Sequence, residues 1–152
     1  MKQQENAYAV CAVGNAKVRR QIIEKLSSSG VQFATIVDPS VILSKSVSIG
    51  EGTIVCAGTI ATVDISIGKY VIINLDCTLG HDDVIGDFVT IYPSVNVSRN
   101  MVVGECCELG TGAQIIQGKK IESHTIIGAG AVVVKNIEER GTYAGCPVKK
   151  IG

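Results

Sequence analysis

Every sixth residue from Val37 to Val133 is aliphatic. The series runs Val37, Leu43, Ile49, Val55, Ala61, Ile67, Ile73, Leu79, Ile85, Ile91, Val97, Val103, Leu109, Ile115, Ile121, Ile127 and Val133, seventeen positions without an insertion. At the overall hydrophobic frequency of 46%, such a run in a fixed register arises by chance on the order of once in a million trials. Glycine follows the aliphatic residue at 50, 68, 80, 86, 104, 110 and 128, and recurs two residues later at 52, 58, 112, 118 and 130. A period of six fits neither an α-helix nor a hairpin pleat, but it fits a parallel β-helix, mainly β and left-handed. Each hexad supplies a short flat strand and a corner, and three hexads close one triangular coil. Seventeen hexads make about six coils, a prism roughly 27 Å long at the usual strand spacing. Glycines beside the corners allow backbone angles that side chains forbid.

The flanks follow another pattern. Tyr8 to Val13 reads as a short apolar strand, and Asn15 as the N-cap of a helix over Lys17 to Ser29. Val18, Ile22, Ile23 and Leu26 fall on one face of that helix, and Gly30 ends it. Val31 to Val37 returns as a strand that feeds the first coil. This β-α-β segment, residues 1–36, is too small to hold its own core and is expected to pack on the prism or on a neighbouring chain. The prism occupies residues 37–138, and 139–152 form a tail with Gly141, Gly145 and Pro147.

Composition agrees with a narrow interior. The chain has 152 residues, seventeen of them glycine, with no tryptophan and two phenylalanines. Fourteen basic and fourteen acidic residues cancel, so no global field directs the protein to nucleic acid or to an anionic membrane. No stretch approaches the ~18 apolar residues of a membrane span, and the start, with Glu5 ahead of a short apolar run, makes a poor signal peptide. The six cysteines include no C-x-x-C pair, which points to reduced thiols in the cytoplasm rather than to a disulfide scaffold.

Residues eighteen apart stack into columns, so corners sort by face. The first column carries Val63-Asp64, His81-Asp82, Arg99-Asn100 and Gln117-Gly118. The second becomes small toward the C-terminus, with Pro93-Ser94, Thr111-Gly112 and Ala129-Gly130, a ledge against which a long flat ligand could lie. The third carries Lys69-Tyr70, Asp87-Phe88, Glu105-Cys106 and Ser123-His124. A histidine oriented by a carboxylate is a candidate general base, because the carboxylate fixes the tautomer and stabilises the imidazolium. His81 beside Asp82 therefore reads as a base or as a solvated corner histidine; His124, in another column, reads as an exposed corner residue. Asp83 falls where the fold favours a small or β-branched residue and needs a hydrogen-bond partner, His81 or a neighbouring subunit. Two histidines do not suffice for the three-histidine zinc site of the carbonic anhydrases built on this repeat, and no cysteine completes one, so no metal is expected. Gly14-Asn15 lies where a strand meets a helix N-terminus, a place for an anionic group or simply a cap.

These stretches resemble the hexapeptide-repeat sugar acetyltransferases of the sialic acid O-acetyltransferase (NeuD) and PglD type. The resemblance is carried by Ala12-Val-Gly-Asn15 with the helix after it, by Gly80-His-Asp-Asp-Val-Ile-Gly-Asp-Phe88, and by Gly128-Ala-Gly-Ala-Val-Val-Val-Lys-Asn136 with Gly145-Cys-Pro-Val-Lys149. It implies transfer of acetyl from acetyl-CoA to an amine or hydroxyl of a free or nucleotide-linked sugar, in a homotrimer with sites between adjacent prisms. His81 matches the family's base and Asp82 its acidic neighbour. Asn74 matches a polar active-site position, Gly14 a sugar-nucleotide contact, and Thr90, Thr111 and Ala129 contacts to acetyl-CoA. Transfer is expected to be direct, with a backbone N–H at a coil edge for the oxyanion, and Lys135, Lys149 and Lys150 are within the stretch that could meet CoA phosphates. In the resembling family a glycine-rich β-α unit precedes the Ala-Val-Gly-Asn strand and holds much of the nucleotide-sugar site. Here about a dozen residues stand before it, so the chain is either a trimmed form or a short relative with another acceptor. A non-catalytic trimeric β-helix module and an acyltransferase for a non-sugar amine are the other readings.

Overall fold

The computed structural model describes residues 7–152. Met1 to Asn6, the first part of the stretch read as a poor signal peptide, lie outside the described residues. The repeat folds as expected, into a left-handed parallel β-helix of about six coils. Its strands, β1 (Ile36–Val37) to β17 (Val132–Val133), are two residues each, and every one pairs in parallel with the strand eighteen residues away. Ile36 stands opposite Ile54, and Thr90 opposite Glu108. Three sheets of eight, six and five strands form the prism faces.

The expected aliphatic row points inward and is sealed: Ile73, Ile91, Leu109, Ile121 and Val133 have no exposure. Burying each such side chain contributes roughly 1.5–3 kcal/mol. A second inward row lies two residues earlier in each hexad and holds Thr53, Thr59, Ile65, Val71, Cys77, Asp83, Val89, Val95, Met101, Cys107, Ala113, Thr125 and Ala131, all buried. Its mixed chemistry hides it from a hydrophobicity count. Only the opening coil leaves the rule, with Val37 and Leu43 each 37% exposed, since no coil stacks before them.

The two glycine sets do different work. Those three residues after the aliphatic position, such as Gly118 at φ +67°, take the left-handed corner conformation. The same conformation is held by non-glycine residues at Asp64, Tyr70, Asp76, Asp82, Phe88, Ser94, Asn100, Cys106 and His124. The set directly after the aliphatic residue is required for close approach instead: a Cβ on Gly80 would lie 2.4 Å from the amide nitrogen of Arg99 in the next coil.

The amino-terminal segment packs on the prism. α1 (Ala16–Ser27) starts with the Asn15 side chain accepting from the Val18 N–H, so the expected cap holds. The expected strands shrink to one bridge between Ala9 and Phe33, followed by β1. The expected helix face is also corrected: Val18 and Leu26 are exposed, and Ala16, Arg19 and Ile23 are the buried residues. The cause lies in the surface below, where corner carbonyls call for donors that Arg19 supplies. Phe33, Tyr70 and Phe88 form an aromatic stack along this seam, with Phe33 edge-on to Tyr70 and Tyr70 stacked on Phe88. Both phenylalanines are therefore used outside the prism interior. At the other end, β18 (Thr142–Ala144) extends the sheet of β16 (Ile126–Ile127), and β19 (Lys149–Lys150) pairs back on it antiparallel. Tyr143 and Val148 pack against the last coil and close it.

Candidate active site

The repeat's exact register brings His81-Asp82, Arg99-Asn100 and Gln117-Gly118 together around one cleft of about 410 Å³ on the first-column corner. Gly80 sets its base by letting the neighbouring coil come close, and Asp82 turns the corner at φ +63°. That turn folds the Asp82 carboxylate back on its neighbour: His81 Nδ1 lies 2.7 Å from Asp82 Oδ2. A carboxylate only accepts, so Nδ1 donates and the lone pair resides on Nε2. Both side chains are partly open to solvent, at 44% and 58% exposure, so a substrate can reach them.

Beneath them Asp83 is fully buried, facing inward in the second row. His81, one of its expected partners, bonds Asp82 instead. Asp83 Oδ1 accepts the Met101 N–H at 2.9 Å, and Oδ2 is unpartnered. Burial pushes its carboxyl up to about 7, opposed by the Met101 and Gly80 N–H groups and by the nearby His81.

The other expected site residues sit elsewhere on the chain. Thr111 and Ala129 are exposed on the second-column ledge, where the space a Cβ would fill at Gly112 and Gly130 is open. Asn74 precedes that same column, its Nδ2 donating to the Ile91 carbonyl. Thr90 is fully buried under the amino-terminal segment; its hydroxyl donates to the Gly14 carbonyl and accepts from Arg19. Gly14 is half-buried, facing Tyr92. A triangular prism keeps its corners apart, so one chain does not gather Gly14, Asn74, Thr90, Thr111 and Ala129 around His81.

The helix N-terminus is already supplied with an anion. Glu108 of β13 (Glu108–Leu109) accepts from the Ala16 N–H at 3.0 Å and from Asn15 Nδ2 at 3.1 Å, and the Tyr92 hydroxyl donates to its other oxygen. Among the described residues no group of three or more histidine, cysteine, aspartate or glutamate side chains is placed to hold a metal. Lys150 is tied to Glu139 at 3.0 Å. None of the cysteines lines the His81 cleft, and burial pushes the Cys107 thiol up to about 12 and raises those of Cys77 and Cys106.

No family profile matches the chain. The chain is similar to PerB of Caulobacter crescentus, solved with CoA and GDP-perosamine: 32% identity, 99% of this chain and 73% of that one covered, TM-score 0.94. The chain belongs to the hexapeptide-repeat sugar acetyltransferases. The acetyltransferase domain of PglB from Neisseria gonorrhoeae, also solved with acetyl coenzyme A, is 34% identical over 95% of this chain and 70% of that one, with a TM-score of 0.89. A curated relative, the UDP-N-acetylbacillosamine N-acetyltransferase of Bacillus subtilis, is 52% identical over 42 residues, 28% of this chain and only 19% of that protein. Acetyl-CoA is thus the co-substrate of the family to which this acetyltransferase belongs.

Two residues that pattern reasoning missed organise the acetyltransferase's amino-terminal seam. Arg19, 1% exposed, donates to the carbonyls of Val13, Gly14, Tyr70, Phe88 and Val89 and to the Thr90 hydroxyl. Burial lowers its guanidinium pKa, and the carboxylate of Glu108 is among the groups that oppose this. Glu108 is the second. An arginine on a helix and a glutamate on a strand both read as solvated in sequence, and only the stacking of the segment on the sheet shows otherwise.

Proposed function

We propose that this acetyltransferase moves the acetyl group of acetyl-CoA to the amino group of a nucleotide-linked sugar, with His81 as general base. The observation that carries the reading is the short His81–Asp82 pair opening onto a cleft, with Nε2 unengaged among the described hydrogen bonds. Nε2 takes a proton as the sugar nitrogen attacks the thioester carbonyl. The tetrahedral intermediate collapses with loss of the C–S bond, and the CoA sulfur leaves and is protonated by the imidazolium. Asp82 holds Nδ1–H and stabilises that imidazolium. Direct transfer is supported by a cleft lining that includes no cysteine.

Thr111 and Ala129 are read as the acetyl-CoA ledge, and Asn74 as a polar contact near the reacting groups. Thr90 acts through Gly14, fixing the carbonyl of the backbone that meets the acceptor. Because these groups lie at different corners, the reading places the complete site between adjacent chains of a homotrimer in the cytoplasm. In it, residues 1–36 supply part of the acceptor site, 37–138 the catalytic prism and 139–152 a closing tail. Relatives solved with GDP-perosamine and CoA support a nucleotide-sugar acceptor.

The test is thiol release from acetyl-CoA across free and nucleotide-linked amino sugars. Turnover with a nucleotide-linked amino sugar is the expected result. Tight CoA binding with no turnover on any sugar would contradict the acceptor assignment, and absence of CoA binding would contradict the enzyme reading.

A further inference from the structure

Asp83 is an acid in a row whose other buried polar members are hydroxyl and thiol donors. Five donors of that row reach the carbonyl fifteen residues on, Thr35 to Gly50, Thr53 to Gly68, Thr59 to Asn74, Cys77 to Tyr92 and Cys107 to Glu122, all at 2.9–3.2 Å, while Thr125 Oγ1 is buried without a partner. Thr53 shows the complete pattern, since its oxygen also accepts the N–H eighteen residues on, from Val71 at 3.0 Å. Asp83 makes the accepting half of this pattern with Met101, also eighteen residues on. The donating half would fall on the carbonyl of Ser98. Among the described hydrogen bonds the Ser98 carbonyl accepts none, and Asp83 Oδ2 is buried without a partner. The buried, unpartnered Oδ2 thus stands where the pattern puts a donor, and a proton on it would both satisfy that oxygen and complete the pattern at Ser98.

We propose that Asp83 is a positioning residue for the His81–Asp82 corner and acts as a neutral acid, with Oδ1 accepting the Met101 N–H and the proton on Oδ2 donated to the Ser98 carbonyl. This ties the catalytic corner to the next coil on both sides of the turn that carries Arg99. It also keeps a second carboxylate from forming behind His81, so that Asp82 alone sets the charge beside the imidazole. The charged and titratable groups at the stacked corners are Asp64 in the preceding coil, His81 and Asp82 on the same turn, and Arg99 in the following coil, with Lys119 two coils on in Asp83's own column. The desolvation that raises the Asp83 carboxyl to about 7 supports the neutral form. The effect on His81 rests on its reading as the base; the protonation of Asp83 does not.

The experiment is carbon-13 NMR of aspartate carboxyls in the full chain, with Asp83→Asn to assign the resonance, combined with thermal unfolding. The expected result is one buried carboxyl titrating near pH 7 that vanishes in Asp83→Asn. Asparagine can donate to Ser98 and accept from Met101, so Asp83→Asn should equal or exceed the wild-type Tm at pH 8. Asp83→Ala, which leaves both the Met101 N–H and the Ser98 carbonyl without this side chain, should melt several degrees below Asp83→Asn at every pH. A carboxyl titrating near pH 4, or Asp83→Asn as destabilised as Asp83→Ala, overturns the proposal. These readouts need no turnover, so they are independent of the acceptor. With turnover, Asp83→Asn, neutral like the protonated acid, should keep the wild-type kcat and leave the acid limb of the acetyl-transfer pH profile in place, whereas Asp83→Ala should lower kcat at unchanged KM for acetyl-CoA; wild-type kcat in Asp83→Ala, or no rescue of kcat by Asp83→Asn, overturns the positioning role.

Discussion

The acetyltransferase has two histidine corners, and they differ in what surrounds the ring. At the first-column corner, His81 is the leading residue, its partner Asp82 is committed to it alone among the described ion pairs, and the ring opens onto a cleft lined by Arg99, Asn100, Gln117 and Gly118. At the third-column corner, His124 is itself the left-handed residue at φ +60°, and its Nε2 lies 3.5 Å from a Glu105 carboxylate already bonded to Arg20. Arg20 also stands over Phe88 and is paired with Glu24. On the proposed reading, a histidine beside an acid is not enough for a base. The carboxylate must be free to hold one ring nitrogen while the other faces open space; at the seam the carboxylate is spent on holding the helix to the prism.

Replacing each histidine separates the corners most strongly. His81→Ala is expected to lower kcat for acetyl transfer by about 10²–10⁴-fold with CoA binding retained, whereas His124→Ala changes it by about twofold or less. Beneath the first corner, the raised Asp83 carboxyl makes stability depend on pH. Its folded value of about 7 exceeds the ordinary 3.8, so the unfolded chain releases this proton first. Stability from this group is therefore complete below about pH 4, declines as pH rises to about 7, and is level above, a loss on the order of 4 kcal/mol readable by urea unfolding. Asp83→Asn should flatten that curve.

At the seam, Arg19→Met leaves several buried carbonyls without donors and should cost about 3 kcal/mol in the same assay. It should leave the His81 corner's fold intact. Asp82→Asn removes the charge that stabilises the imidazolium and is expected to lower kcat about 10- to 100-fold, less than in a buried triad because this pair is half open to solvent. The smallest effect belongs to Glu105→Gln, within about 0.5 kcal/mol in stability and without effect on turnover, since its partners are exposed and screened.

Much of this contrast is legible in the chain. An uninterrupted six-residue period fixes the prism, and the sum of three periods places His81, Arg99 and Gln117 on one edge. Three successive corners of that column, His81-Asp82, Arg99-Asn100 and Gln117-Gly118, line the cleft. What escaped was most of what depends on polar groups being buried. Asp83 shows itself by its place in the repeat, but the threonines of the second inward row read as surface residues apart from their bonds to the neighbouring coil. Arg19 is hidden because the helix considered alone presents Val18, Ile22, Ile23 and Leu26 as its apolar face. Glu108 occupies the helix N-terminus from a strand more than ninety residues later, at 3.0 Å from the Ala16 N–H, a contact no local pattern encodes. The glycines were legible as corner residues, but the distinct requirement at Gly80, close approach to Arg99 rather than a special backbone angle, belongs to the stacked coils.

The central claim is that His81, held by Asp82, is the base for acetyl transfer. It is tested most directly by measuring CoA release with a nucleotide-linked amino sugar for the wild type and His81→Ala, with CoA binding followed by calorimetry in both. The account predicts that CoA binds equally to both proteins and that turnover falls by at least about a hundredfold in the variant. Equal turnover in the two, with equal CoA binding, would contradict it.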